Sequence, residues 1–442
     1  MIHRTLNKIY QKTRSKDILP LLDELEYNQW LPFEELDKLQ NIKLFKTINL
    51  AIENVPYYNN LKDKIKLDIK KGDAKNVIRQ FPILTKHDLI NKYDDLINPG
   101  HIGDTYKNYS GGSTGLPVKL LQDRTMQNYA SAAAIRSDRW AGWDFGSSIF
   151  KFWGASKDFG SSNKEKIKRL LFNEYMFDAF NWNEDTIVDI YKLMERVKPK
   201  IILSYASALY FYVKTAKEKG LESNHRPKGI IASADMLYDY QRKEIEEYFK
   251  CKIFNRYGCR EVGLIACECE EHNGLHISSD RIYLEVVDEN NNPVPNGQIG
   301  RILVTDLTNT AMPIIRYEIG DMGAISSDVN CKCGRSLPKL QSIQGRTTDY
   351  IITNNGRYIN GAALTTLVPK LNNIEQLQLI QREVNKVIIK VIRGKNYSEK
   401  DELDIKNKFE NYLGTDMLLE FEYVDSVINE NSGKYRFIIN EL

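Results

Sequence analysis

The first stretch with chemical potential is rich in glycine and hydroxyl side chains. Residues 109–119 read YSGGSTGLPVK, with three glycines, the hydroxyls of Ser110, Ser113 and Thr114, and a trailing Lys119. Glycine lets the backbone turn tightly and approach a ligand, and consecutive backbone N–H groups can enclose an anion. The pattern is typical of a phosphate-binding loop. A flexible linker has a similar composition, and the G-x-x-x-x-G-K-[ST] spacing of the common nucleotide-binding loop is absent.

Cysteine and histidine residues form a second group with chemical potential. They lie in residues 267–276, which read CECEEHNGLH, and in residues 331–335, which read CKCGR. Structural zinc takes four Cys or His ligands in a tetrahedron. In a reducing compartment, paired cysteines indicate a metal more than a disulfide. The C-x-C spacing is tighter than the usual C-x2–4-C, so thiols without a metal are the alternative.

The expected metal ligands are three thiols and one imidazole. They are Cys269, Cys331, Cys333 and either His272 or His276. The choice between the two histidines, and a contribution from Cys267, stay open. Cys251 and Cys259 lie outside the paired segments and are expected to take no part.

Composition narrows the class of protein. The chain has 442 residues, of which 62 are basic and 59 acidic, with a formal net charge of +3. No nucleic-acid-binding face is therefore expected. The longest apolar run, near residues 201–213, has about thirteen residues, whereas a membrane span needs about twenty. No apolar stretch follows the charged N-terminus, so no signal peptide is expected, and the predicted compartment is the cytoplasm.

The spacing of apolar residues divides the chain into regions. Residues 1 to about 100 have helical spacing. From there to about residue 345, short β-rich runs alternate with helical patterns, which predicts βαβ units with ligands beyond the carboxyl ends of the strands. The predicted parallel strands are residues 149–152, 201–203, 229–232 and 253–255. Residues 282–305 contain two turns and predict antiparallel strands, in a small barrel-like part.

The last hundred residues have a different pattern. Strand-like runs at residues 377–382, 387–392 and 419–424 accompany a helical run at 398–413. The predicted fold class is therefore α/β, with a large N-terminal domain of βαβ sheets and a small α+β C-terminal domain. The domain boundaries are predicted at residues 1–346 and 347–442.

Four further motifs follow one another along the chain. They are NRYGCRE at 255–261, RYEIGD at 316–321, GRTTD at 345–349 and NSGKYR at 431–436. Each alone is more often structural than functional. Together with residues 109–119 and the FPILTK of residues 81–86, their order and spacing resemble the adenylate-forming (acyl-CoA synthetase-like) superfamily. Within it, the chain looks like the phenylacetate–CoA ligase branch and its capsular-polysaccharide-biosynthesis relatives, over residues 81–436.

The resemblance implies how ATP would bind. The glycine-rich loop would wrap the β- and γ-phosphates, with Lys119 close by. Its residues are Ser110, Gly111, Gly112, Ser113, Thr114 and Gly115. Ser233, Ala234 and Asp235 would line the adenine pocket. Tyr257, followed by Gly258, would stack on the base.

The resemblance also implies the groups that surround the reaction. Glu261 would hold Mg²⁺, Asp321 would bind the ribose hydroxyls, and Arg346 would contact the ribose or a phosphate. Lys434 would reach from a mobile C-terminal domain to the carboxylate and the α-phosphate. Two anions must meet when a carboxylate attacks ATP, and positive charge from Mg²⁺ and Lys434 would stabilise that transition state.

Two positions depart from the family pattern. The hinge of relatives often reads Gly-Arg-x-Asp-Asp, but Thr348 replaces the first of these aspartates here and Asp349 keeps the second. Arg260 stands where many relatives carry threonine before the glutamate, and an arginine could bind a phosphate more strongly. Some relatives combine the Cys…His and C-x-C-G-R patterns, which supports zinc.

The implied function is ATP-dependent activation of a carboxylic acid. The products would be an acyl-adenylate and pyrophosphate, followed by acyl transfer to a thiol, with coenzyme A as the default acceptor. A carrier protein, or an amine in surface-polysaccharide or natural-product assembly, is the alternative acceptor. A non-catalytic zinc-containing binding or assembly protein is the alternative class, and the joint presence of Lys434 and Glu261 favours the enzyme. The acid and the oligomeric state stay open.

Overall fold

Helices build the N-terminal region, as the apolar spacing predicts. The computed structural model describes residues 2–62, 74–110, 118–153, 163–177, 179, 184–346, 350–354, 358–360, 364, 367–427 and 435–442. The N-terminal helices are α1 (Ile2–Arg14), α2 (Leu19–Asn28), α3 (Phe33–Asn54), α4 (Pro56–Asn59), α5 (Ala74–Ile78) and α6 (Lys86–Asn91). The predicted helical region is interrupted at Pro32, which is the N-cap of α3. Proline cannot donate the backbone hydrogen bond that a helix interior needs.

The central sheet begins with parallel strands where the sequence predicts them. Its parallel strands are β3 (Ile149–Phe152), β4 (Glu174–Phe177), β5 (Ile201–Ser204), β6 (Gly229–Ser233) and β7 (Ile253–Cys259), which runs parallel to β6. The helices of this region are α7 (Arg124–Trp140), α8 (Asn163–Phe172), α9 (Glu184–Val197), α10 (Ala206–Glu218) and α11 (Asp239–Phe249). Preceding them, β1 (Thr105–Ser110) and β2 (Val118–Asp123) form an antiparallel hairpin. The alternation of strand and helix confirms the predicted βαβ units.

The second half of the sheet is antiparallel. Its strands are β8 (Gly263–Glu268), β9 (Leu275–Ile277), β10 (Ile282–Val287), β11 (Gly300–Asp306), β12 (Tyr317–Ile325) and β13 (Lys339–Arg346). Among the described strands the order is β10-β11-β12-β13-β9-β8-β7-β6-β5-β3-β4, an open sheet of eleven strands. The antiparallel strands are thus confirmed, and they are joined edge to edge to the parallel half by the β7–β8 hairpin. Tyr257 of β7 contacts Asp321 of β12, which is four strands away in this order, so the antiparallel half curves back on itself in the barrel-like manner that the sequence predicts.

The N-terminal helices are fixed to the sheet by buried polar contacts. Gln40 of α3 donates to the carbonyl oxygens of Ser279 and Ile282, at 3.0 and 2.9 Å. Arg136 of α7 forms a fully buried ion pair with Asp280, with Nη1 to Oδ2 at 2.6 Å. Buried charges are stable only when they are paired and hydrogen-bonded, so these contacts fix the helices over the antiparallel half.

The C-terminal region has its own core. It contains β14 (Tyr350–Ile352), β15 (Tyr358–Asn360), β16 (Ile374–Glu383), β17 (Lys386–Arg393), α12 (Glu399–Leu413), β18 (Leu418–Tyr423) and β19 (Ile438–Asn440). A four-stranded sheet of order β18-β17-β16-β19 packs against α12. The buried residues of this core come from positions 351 to 438 alone. The sequence prediction of a compact α+β unit is confirmed.

None of the helices within the described ranges has the length and apolarity required to cross a membrane.

Candidate functional site

The predicted phosphate loop connects the two strands of a hairpin. Ser110, at the end of β1, is paired with Val118, at the start of β2. Residues 111–117, and with them Gly111, Gly112, Ser113, Thr114 and Gly115, lie outside the described residues. Lys119 lies in β2 opposite Tyr109, and its Nζ is 4.1 Å from the centre of the Tyr93 ring.

The turn between β7 and β8 approaches this hairpin. Arg260 Nη1 donates to the carbonyl oxygen of Tyr109 at 3.0 Å, and Gln122 Nε2 donates to the carbonyl oxygen of Arg260 at 2.9 Å. Two segments that lie about 140–150 positions apart in sequence therefore meet. This contact places the Arg260 guanidinium beside the start of the predicted phosphate loop.

Tyr257, Asp321 and Arg346 are brought together by one side-chain contact and one strand pairing. The Tyr257 hydroxyl donates to Asp321 Oδ2 at 2.7 Å. Asp321 in β12 is paired with Arg346 at the end of β13. Three motifs that the sequence separates by up to ninety positions thus converge where β7 meets the antiparallel half. The Arg346 side chain lies outside the description.

Glu261 is largely buried beside this group. The Tyr317 hydroxyl donates to Glu261 Oε1 at 3.4 Å. Burial and the neighbouring Glu261 carboxylate raise the pKa of Tyr317 far above its usual range, so the phenol stays protonated and acts as a donor. Oxygen ligands such as carboxylates are those that Mg²⁺ prefers, and Glu261 is the carboxylate available in this turn.

Sterics and a buried guanidinium define the shape of the turn. A Cβ atom at Gly258 would lie 2.5 Å from the carbonyl oxygen of Gly263, so only glycine fits there. Arg281 is fully buried and donates to the carbonyl oxygens of Val262 and Leu264, both at 2.7 Å. Buried carbonyls need such partners, and Arg281 therefore supports the segment that carries Arg260 and Glu261.

The predicted adenine-pocket residues lie where β6 ends. Ser233 is its last residue, and Ala234 has a φ of 75°. Asp235 accepts hydrogen bonds from the backbone amides of Ala206 and Ser207 at 2.6 and 3.0 Å, at the N-terminus of α10. The Asp235 carboxylate therefore caps the N-terminus of α10. The turn that contains Asp235 lies at the carboxyl ends of β5 and β6.

Four of the predicted metal ligands form a cluster. Within the described residues, one donor atom from each lies within 4.8 Å of the others: Cys269, His276, Cys331 and Cys333. Cys269 Sγ is 3.7 Å from Cys331 Sγ, and Cys333 Sγ is 3.3 Å from His276 Nε2. In a tetrahedral site with Zn–S bonds of about 2.3 Å, two sulfurs lie about 3.8 Å apart. The donor set and its spacing fit a closed zinc site.

The protonation state of the His276 imidazole suits a metal ligand. Burial lowers the pKa of His276 to about 4, so the ring is neutral near pH 7. Its Nδ1 lies 2.9 Å from the carbonyl oxygen of Leu337, which can only accept, so Nδ1 carries the proton. The lone pair of Nε2 then faces the sulfurs, as in metal sites where a carbonyl fixes the tautomer.

His272 lies outside this cluster, and His276 is the histidine that the structure brings to the three thiols. His272 occupies a left-handed turn with a φ of 51°, and its Nδ1 lies 3.3 Å from Glu268 Oε2. That contact directs the ring to Glu268 and Arg242 instead of the sulfurs. Cys267 also lies outside the cluster.

Arg335 attaches the cysteine segment to the N-terminal helices. Its guanidinium lies between the rings of Trp30 and Trp140, at 5.1 and 4.8 Å from their centres. Its Nε donates to Gln29 Oε1 at 3.1 Å, and its Nη1 to Glu270 Oε2 at 2.8 Å. Cation–π and ionic contacts therefore hold the cysteine and histidine cluster against α2 and α7.

Sequence reasoning did not single out two residues that support the site. Tyr317 stands inside the quoted RYEIGD motif, yet nothing local shows that its hydroxyl reaches Glu261. Arg281 has no sequence signal, because the carbonyls that it serves depend on long-range packing. Lys434, the predicted catalytic lysine, lies outside the described residues.

Comparisons with known proteins agree with the resemblance seen in the sequence. Residues 351–441 match the CapK C-terminal domain. Protein CapK of Staphylococcus aureus is 23% identical over 92% of this chain and 90% of its own length. The phenylacetate-coenzyme A ligase of Thermus thermophilus is 26% identical over 73% of each chain.

A similar fold occurs among solved structures. A 2-hydroxyisobutyryl-CoA ligase in its postadenylation state superposes with a TM-score of 0.74 at 19% identity, covering 93% of this chain and 91% of the other. The same ligase in its thioesterification state gives a TM-score of 0.63 at 20% identity, covering 94% and 91%. The chain has the fold of these acyl-CoA ligases, and the predicted resemblance to adenylate-forming enzymes and CapK is confirmed.

Proposed function

We propose that this protein is an adenylate-forming ligase, which activates a carboxylic acid with ATP and transfers the acyl group to a thiol. Phenylacetate–CoA ligases are among its relatives, and the ligase with a similar fold is seen with an acyl-adenylate and with coenzyme A. Coenzyme A is the proposed acceptor. The acid is a small carboxylic acid whose identity the chain does not specify.

The convergence of four predicted residues supports the proposal. Tyr257, Arg260, Glu261 and Asp321 come from two distant motifs, and they meet beside the hairpin that carries the glycine-rich loop. A carboxylate for the ribose diol, an aromatic face for adenine and a guanidinium near the phosphates are the groups that ATP requires.

The proposed reaction proceeds in two steps. The substrate carboxylate attacks the α-phosphorus of ATP, the bond to the β-phosphate breaks, and pyrophosphate leaves. Lys434 neutralises charge on the carboxylate and the α-phosphate, and Arg260 and Lys119 bind the outer phosphates. A thiol then attacks the acyl carbonyl, and AMP leaves with Asp321 still on its ribose. Mg²⁺, held by Glu261, would supply positive charge at the phosphates.

The metal cluster is proposed to be structural zinc. Three thiols and one neutral imidazole supply four ligands, which fills a tetrahedral site and leaves no open position for a substrate. The cluster follows directly after β8, so it would fix the end of the β7–β8 hairpin opposite to the turn with Glu261.

The proposed domains are residues 1–346 and 347–442, with the smaller one mobile. The confinement of the C-terminal core to positions 351–438 supports this division. Lys434 and the acceptor thiol need the same space at different times, so we propose a hinge at residues 347–349, which lie outside the described residues.

A second acceptor class also has specific support. The C-terminal residues match the CapK C-terminal domain, and the similarity to CapK extends over more of the chain than the similarity to the phenylacetate ligase. A carrier-protein thiol, or an amine in surface-polysaccharide or natural-product assembly, is therefore the alternative to coenzyme A.

The direct test is pyrophosphate release from the purified protein over a panel of carboxylic acids, with and without coenzyme A. We expect release with at least one acid, and a loss of roughly 10²–10³ in rate for Lys434→Ala with an unchanged melting temperature. Release that continues at the wild-type rate in this variant would exclude Lys434 as the adenylation lysine. Absence of release with every acid would favour a binding protein.

A further inference from the structure

The C-terminal region touches the large region through a lysine of α10. Lys214 Nζ donates to the carbonyl oxygen of Ile374 at 3.0 Å and lies 3.5 Å from that of Glu375. Both carbonyls belong to the start of β16. One ammonium group of the large region thus contacts two backbone acceptors of the small one.

A tyrosine next to the predicted catalytic lysine forms part of the same interface. Tyr435 packs against the C-terminal core, and its hydroxyl donates to the carbonyl oxygen of Leu377 in β16. Burial raises the pKa of Tyr435 well above its usual range, and the neighbouring Tyr240 and Tyr238 add to this effect. Both neighbours belong to the large region, where their rings stack at 5.9 Å. Tyr435 is therefore half-buried in the C-terminal core and lies near two tyrosines of the large region.

The position of this interface connects it to the proposed chemistry. Tyr238 is the N-cap of α11. It lies three positions after Asp235, which is one of the residues proposed to line the adenine pocket. Tyr435 directly follows Lys434 in the chain. Because the two residues are neighbours in the chain, a restraint on Tyr435 also limits where Lys434 can be.

We propose that Lys214 and Tyr435 are positioning residues, which hold the C-terminal domain in the arrangement for adenylation. This inference rests on the proposed function. The second step requires the domain to move, so the contacts of Lys214 with β16 must break between the two half-reactions, and Tyr435 must move away from the α11 tyrosines. The interface therefore sets the balance between the two arrangements.

The chain offers a matched control on the same helix. Lys217 lies one turn further along α10 and forms an ion pair with Glu244 of α11, inside the large region. Lys217→Ala removes the same side chain at a similar site without touching the interface. Lys214→Arg keeps a cation that can donate to the same carbonyls, and Tyr435→Phe keeps the ring but removes the bond to Leu377.

The experiment measures the two half-reactions separately. Adenylation is followed by pyrophosphate release, and acyl transfer by thioester formation from purified acyl-adenylate and coenzyme A. Lys214→Ala should slow adenylation about 5- to 20-fold, as expected for a coupling interaction, and leave acyl transfer unchanged or faster. Lys214→Arg should recover most of the rate, Tyr435→Phe should show a smaller loss of the same kind, and Lys217→Ala should match wild type. Equal losses in both half-reactions would overturn the proposal.

Hydrogen exchange provides a readout that does not depend on activity. Amides of residues 374–377 and 238–240 should exchange faster in Lys214→Ala than in wild type, and not in Lys217→Ala. Unchanged exchange would overturn the proposed contact whatever the rates are. Faster exchange in a protein that releases no pyrophosphate would leave the contact standing as an interdomain anchor, while it refutes the positioning of a catalytic lysine and the proposed ligase activity.

Discussion

The contact between Tyr257 and Asp321 gives the sharpest test of the proposed ATP site. Asp321→Asn keeps the size and one acceptor oxygen of the side chain but removes its negative charge. Hydrogen bonds to a charged group contribute about 1.5–3 kcal/mol, so we expect kcat/KM for ATP to fall about 10- to 150-fold. Tyr257→Phe keeps the ring for stacking and removes the 2.7 Å bond to Asp321, which affects ATP only through the position of the carboxylate, so we expect ATP binding to lose about 1 kcal/mol, less than for a direct bond to a charged group. The expected loss in kcat/KM for ATP is then about fivefold.

The double variant separates a shared role from two independent ones. Because the Tyr257 hydroxyl acts through the Asp321 carboxylate, the Tyr257→Phe change should add little to Asp321→Asn, as coupled neighbours do in a double-mutant cycle. The assay is ATP–pyrophosphate exchange with the acid identified in the screen, with melting temperature as the control for folding. An Asp321→Asn enzyme within twofold of wild type would refute the ribose assignment. Fully additive losses would refute the coupling.

Three further predictions concern the metal, the hinge and a buried carboxylate. Purified protein should contain about one zinc per chain. Cys333→Ser should lose zinc and melt at a lower temperature, whereas His272→Ala should retain zinc. A wild-type protein that is as stable without zinc as with it would contradict this prediction. Thr348→Pro fixes φ at this position and should reduce pyrophosphate release and acyl transfer by different factors. Equal losses in both would argue for a rigid connection between the two domains. Burial alone would raise the pKa of Glu268, but the His272 hydrogen bond, the Arg242 charge and a backbone amide together lower it. The ionised Glu268 carboxylate therefore contributes fully to the free energy of unfolding above its unfolded pKa of about 4.3. This contribution is lost as pH falls through the lower pKa of the folded state. Glu268→Gln should therefore lower the melting temperature at pH 7 and much less at pH 3.

Local patterns were sufficient for most of the secondary structure. The strands at residues 149–152, 201–204 and 229–233 are short and β-rich, and the helices between them have clear apolar spacing, so both were predictable. The capping box of Thr85 and Asp88, which begins α6, follows from residue types alone. The order of the antiparallel strands was not predictable in the same way, because which edge each strand meets depends on long-range packing.

Long-range register explains what the sequence left open in the site. The choice of His276 over His272 depends on the pairing of His276 with Lys339, which brings β9 beside β13 and the cysteine segment. The contact of Tyr317 with Glu261 likewise depends on how β12 lies against the β7–β8 turn. No local signal encodes such pairings, whereas the types of the ligands and of the ATP-binding candidates can be read directly.

The attachment of α2 to the cysteine segment affects the order in which the chain can fold during synthesis. Gln29 and Arg335 are 306 positions apart, so α2 emerges from the ribosome long before its partner exists. At about 5–20 residues per second, this interval is roughly 15–60 seconds. The apolar residues Leu22 and Leu25 of α2 pack against Ala132 and Ala133 of α7, so their cover is made well before Arg335. The cysteine segment is therefore a late addition to a helix pair that can already form, and α2 completes its polar contacts only after translation has passed the second cysteine pair.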